Sequence, residues 1–114
     1  MYNIGIFTSS RADFGILRNI ATKLENSKEY KLKIFVAGSH LSSQFGNTIN
    51  EIKKDNFSKI VKCHNIVLKK NQVDISKSLN NLNNIFLKQL SKNNIDTIIL
   101  LGDRYELLPV SAIC

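Results

Sequence analysis

The sequence has only two cysteines, Cys63 and Cys114, and they form neither a C-x-x-C pair nor a Cys/His ligand pattern. That spacing argues against structural zinc and leaves Cys63 as a small strand residue, so no metal is expected. No stretch approaches the roughly 18 apolar residues that a membrane span needs. Met1 to Phe7 also lacks the basic start and long apolar segment of a signal peptide. No membrane partner is therefore expected, and a cytoplasmic location follows by default. Arginine is scarce: the basic side chains are 13 Lys and 3 Arg, scattered along the chain. No basic stripe with interleaved aromatics appears, so the net charge of +7 speaks to solubility and nucleic acid is not an expected partner. Two phosphate-binding signatures are missing as well, G-x-G-x-x-G and the P-loop, which disfavours a nicotinamide dinucleotide.

What remains is an ordinary globular composition, 43% hydrophobic and 22% charged, in 114 residues. That length suits one small domain with a single core. Tyr2 to Thr8 is a short β-branched run and reads as a strand. Ser9-Ser10 then offers a helix cap, and Phe14, Leu17, Ile20, Ala21 and Leu24 recur at helical spacing. Leu32 to Ala37 is a second strand, Phe45 to Lys54 a short helix turning Ile49 and Ile52 inward, and Lys59 to Val67 a weaker third strand. A long helix is predicted over Val73 to Lys92, with Val73, Leu79, Leu82, Phe86 and Leu90 on one side. Thr97 to Leu101 reads as a continuous buried strand of the kind found in parallel sheets. Gly102 ends it, and another helix starts at Arg104. Alternation of this kind predicts an α/β fold, a Rossmann-like parallel sheet with strands in the order 3-2-1-4. The fourth strand then lies at an open edge with the last helix barely begun. An incomplete domain is the expectation.

Ligands of such sheets bind beyond the carboxyl ends of the strands, where the strand order reverses. Two similar segments meet there, Ser10-Arg11-Ala12-Asp13 and Asp103-Arg104-Tyr105-Glu106. Their caps and acids resemble capping boxes, which account for Asp13 and Glu106 without any ligand. The arginines are harder to explain structurally, because a cation in the first turn opposes the helix dipole. Arginine offers a planar fork for phosphate, and free helix N–H groups beside it complete an anion site. An Arg11–Asp103 pair joining the two loops is the plainer alternative. Asp103 directly follows the fourth strand and can hold a sugar hydroxyl or move a proton. His40 follows the second strand and either meets ligand or satisfies a turn. Gly15 and Gly102 allow close backbone approach. The hydroxyl-rich first loop can also cradle flavin phosphate, which leaves a non-catalytic flavodoxin-like binding module as a second reading.

Ser10-Arg11-Ala12-Asp13-Phe14-Gly15, Gly38-Ser39-His40-Leu41 with Phe45-Gly46-Asn47-Thr48, and Leu101-Gly102-Asp103-Arg104-Tyr105-Glu106 together resemble the hydrolysing UDP-N-acetylglucosamine 2-epimerases. The Arg-Ala-Asp and Gly-Asp-Arg forms are similar to the sialic-acid and related nonulosonate branch. The resemblance implies a two-domain glycosyltransferase-B-like enzyme, often a homodimer, acting on a UDP-sugar without a cofactor. It implies UDP cleavage with inversion at C2, through a glycal to which water adds. Carried onto matching positions, Asp103 is the catalytic candidate. Arg11, Asp13, Gly15, His40, Arg104 and Glu106 are the substrate-binding ones. The C-terminal UDP-binding domain is then absent from these 114 residues, and the substrate is UDP-N-acetylglucosamine or, in the legionaminic-acid branch, UDP-N,N'-diacetylbacillosamine.

Overall fold

Strand β1 (Tyr2–Thr8) is buried over its last five residues, as a strand at the centre of a sheet must be. The computed structural model describes residues 2–9, 11–37, 49–63, 72–101 and 110–111, with the backbone alone for residues 11, 72–75 and 78. Helix α1 (Arg11–Glu25) leads to β2 (Tyr30–Val36), α2 (Ile49–Lys53) to β3 (Ile60–Lys62), and α3 (Gln72–Lys92) to β4 (Thr97–Ile99). The four strands form one sheet in the order β3-β2-β1-β4, as the alternation predicted. Every pairing is parallel, with β1 matched to β2 from Tyr2↔Tyr30 to Thr8↔Val36 and to β4 from Ile4↔Thr97 to Ile6↔Ile99. A flavodoxin-like order, 2-1-3-4-5, would set the third strand beside the first. β4 occupies that place, and the flavodoxin-like reading falls on this topology.

Alternation along the strands sorts the core into two layers. Ile6, Ile34 and Val36 face α1 and α2, where they meet Phe14, Leu17, Ala21 and Ile52. Phe7, Phe35, Val61 and Cys63 face α3, where they meet Leu82 and Phe86. Phe86 stands edge-on to both Phe7 and Phe35, with ring centroids 5.6 and 5.5 Å apart. That geometry suits aromatic quadrupoles and fixes how α3 sits on the sheet. Gly5 lies beneath this layer because a Cβ there would come within 2.6 Å of Ile98 Cδ1 and 3.0 Å of the Phe35 ring.

The amino ends of β1 and β4 are joined by more than the ladder. Asn3 N–H donates to Asp96 Oδ2 at 2.8 Å, Asp96 N–H donates to Asn3 O at 2.9 Å, and the Tyr2 and Thr97 hydroxyls bond at 2.6 Å. These contacts lock the register of the edge strand. Two details depart from the sequence reading. Ile20 is 46% exposed, because α1 buries a narrow stripe through Phe14, Leu17 and Ala21 and Ile20 falls outside it. The Thr97–Leu101 segment is not fully buried: Thr97 is exposed and residues 98–101 are half-buried, as an edge position allows.

Candidate functional site

The strand order reverses at β1, whose neighbours are β2 on one side and β4 on the other. The chain leaving β1 enters α1, which packs on one face of the sheet. Val110, beyond β4, is buried in the layer on the opposite face. Helix α1 and Val110 therefore lie on opposite faces of the sheet, and doubly wound sheets hold ligands in a crevice where the strand order reverses in this way.

The described wall of that crevice is the junction of β1 with α1. Thr8 and Ser9 end the strand with essentially no exposure. Asp13, in the first turn of α1, reaches back to both. The Thr8 hydroxyl donates to Asp13 Oδ1, while the Ser9 N–H and hydroxyl approach Oδ2 at 3.3 and 3.4 Å. An acid at this helix position complements the dipole and takes up N–H groups just ahead of the helix. The expected box partner, Ser10, lies outside the described residues, and the described partners of Asp13 belong to the strand end. Sequence reasoning missed Thr8. The signal was available: alternation puts Thr8 on the α1 face with Ile4 and Ile6, five residues ahead of an acid in the first turn.

Gly15 is exposed on α1, and a Cβ added there would meet nothing within 4 Å. Nothing in the described packing requires glycine, although a helical glycine costs about 0.5–1 kcal/mol relative to alanine. The backbone of Arg11 opens α1. Its side chain lies outside the described residues, as do His40, Asp103, Arg104 and Glu106, together with Gly102 and the Gly38-to-Thr48 motif.

Two other features lie near the sheet and are chemically quieter. Cys63 follows β3, buried, with its N–H on Val36 O at 2.7 Å. Burial pushes its thiol up to about 12 from 9.0, which keeps it protonated and unreactive. A cavity of about 540 Å³ runs between the end of α3 and the start of β4, from Leu90 to Ile98. It sits at the amino end of β4, away from the switch point, and we do not assign it to the site. Among the described residues no three His, Cys, Asp or Glu side chains gather as a metal site. No helix among them is long and apolar enough to cross a membrane.

A parallel sheet reversing order at β1, with a hydroxyl-rich loop in place of a glycine-rich one, defines a Rossmann-like α/β domain. Residues 22–114 match the UDP-N-acetylglucosamine 2-epimerase family, and the chain belongs to that family. It is 32% identical over 97% of its length to a GDP/UDP-N,N'-diacetylbacillosamine 2-epimerase (hydrolyzing) of Campylobacter jejuni. It is 37% identical over 97% of its length to polysialic acid biosynthesis protein P7 of Escherichia coli. A UDP-N,N'-diacetylbacillosamine 2-epimerase (hydrolyzing) of Legionella pneumophila is 34% identical over 89% of the chain. The chain spans 29%, 28% and 27% of these three relatives, under a third of each. The family match starts inside α1, so the likeness of the first loop rests on the pairwise relatives.

Proposed function

We propose that this chain forms the first part of the N-terminal domain of a hydrolysing UDP-sugar 2-epimerase of glycosyltransferase-B-like build. In this reading a C-terminal UDP-binding domain completes the cleft. The overall reaction converts UDP-N-acetylglucosamine and water to N-acetylmannosamine and UDP, as a step toward nonulosonates. The carrying observation is the β2-β1-β4 arrangement, which sets the end of β1 and the start of α1 beside the segment that leads to Gly102-Asp103-Arg104.

Chemically, loss of the C2 proton and departure of UDP from C1 give a glycal. Water then adds its oxygen at C1 and a proton at C2 on the opposite face. A departing diphosphate needs cations and N–H donors placed where its charge develops. Arg11, Arg104 and the first turn of α1 are assigned that role. Asp103 is assigned to proton transfer or to a sugar hydroxyl. His40, Gly15 and Glu106 are assigned to the sugar-nucleotide wall.

A second substrate, UDP-N,N'-diacetylbacillosamine, is favoured by the names of the Campylobacter and Legionella relatives. The test is turnover of each sugar by the full-length enzyme, following UDP release and the freed sugar by NMR. The reading requires inversion at C2 and free UDP. An enzyme that turns over neither sugar would refute it. The 114 residues alone are expected to release no UDP, and turnover by them would overturn the two-domain part.

A further inference from the structure

We propose that Asp13 is a positioning residue of the crevice: its carboxylate holds the end of β1 under the first turn of α1 and does not itself contact the sugar nucleotide. This rests on the function proposed above for the same site.

Both carboxylate oxygens have protein donors. Oδ1 takes the Thr8 hydroxyl, and Oδ2 lies 3.3 Å from Ser9 N and 3.4 Å from Ser9 Oγ. The Thr8 donor is out of reach of any ligand, because Thr8 is 0% exposed and lies on the α1 face of the sheet. Charge points the same way. A carboxylate turned toward the crevice would repel a diphosphate, whereas one bonded to the strand end leaves the helix N–H groups to the anion. The connection from β1 to α1 is only Ser9 and Ser10, so an anchor on Thr8 and Ser9 sets where α1 begins. Displacements of about 1 Å in such a frame are enough to lower turnover sharply.

Thr8 makes the idea testable, since Thr8→Val removes the hydroxyl, keeps the shape and touches no ligand. Asp13→Asn, Thr8→Val and the double variant form a cycle in the full-length enzyme, read as KM and kcat with UDP-N-acetylglucosamine. Each single change is expected to lower kcat/KM by roughly tenfold, and the double change by little more than either alone. Multiplicative losses, about a hundredfold in the double variant, would show that Asp13 acts on the ligand directly and would overturn the proposal. The same cycle in denaturant midpoint must also be non-additive, and additivity there overturns it as well. If the wild-type enzyme turns over no UDP-sugar, the functional reading fails, and the denaturation cycle still decides whether Asp13 anchors Thr8.

Discussion

Gly5 and Cys63 show how single residues are constrained by the layer between the sheet and α3. A methyl at position 5 would press on Ile98 Cδ1 at 2.6 Å, which can swing aside, and on the buried Phe35 ring at 3.0 Å, which cannot easily do so. Gly5→Ala should therefore cost about 1–2 kcal/mol by overpacking, seen as a lower urea midpoint at unchanged slope. Cys63 tests burial through pH. Its thiol ionises near 9.0 when unfolded but at about 12 when folded, because burial disfavours the thiolate. The folded-state pKa is raised, so the contribution is complete below pH 9 and is lost as pH rises toward about 12. Above pH 9 the stability of the wild type should fall more steeply than that of Cys63→Ala. Parallel curves would contradict the assigned burial.

At the scale of elements, α1 carries both packing and the rim of the proposed site. Its buried stripe comes from Phe14, Leu17 and Ala21, and Arg18 adds an ion pair to Asp55 at 2.8 Å while lying 5.3 Å over the Phe14 ring. Gly15 stands outside that stripe in open space, so Gly15→Ala should stabilise the chain by about 0.5–1 kcal/mol. If Gly15 lines the sugar-nucleotide wall, the same variant should lose turnover in the full-length enzyme, a stability gain opposed by a functional loss. Thermal melts and initial rates on one pair of proteins check both halves. Strand β1, helix α1 and the strand order were legible because period-2 and period-3.6 patterns and right-handed crossovers leave few alternatives. Ile20 was misplaced because apolar character does not specify which edge of a helix turns to water. Thr8 was passed over because its partner Asp13 belongs to the next element, so the pair emerges only when the strand alternation and the acid in the first turn of α1 are read together.

For the whole molecule, the fold separates two ends of one sheet. At the amino ends, the Tyr2–Thr97 and Asn3–Asp96 contacts fix β4 against β1. On the α3 side Lys33 is held below the ordinary lysine range, first by partial desolvation and then by Lys59 and Lys31. Crowded lysines of this kind repel one another and do not define a phosphate site. At the carboxyl ends, the buried Thr8–Ser9 strand end is tied to the start of α1 through Asp13, on the strand that neighbours β4. The central claim is that this end takes the UDP-sugar. Its most direct test is an amide chemical-shift titration of the 114-residue chain with UDP-N-acetylglucosamine, with weak binding expected, Kd on the order of millimolar. The account predicts shifts concentrated at residues 8–15 and 100–106. Shifts confined to Leu90–Ile98 or to the Lys31, Lys33 and Lys59 cluster, or none at several times that concentration, would contradict it.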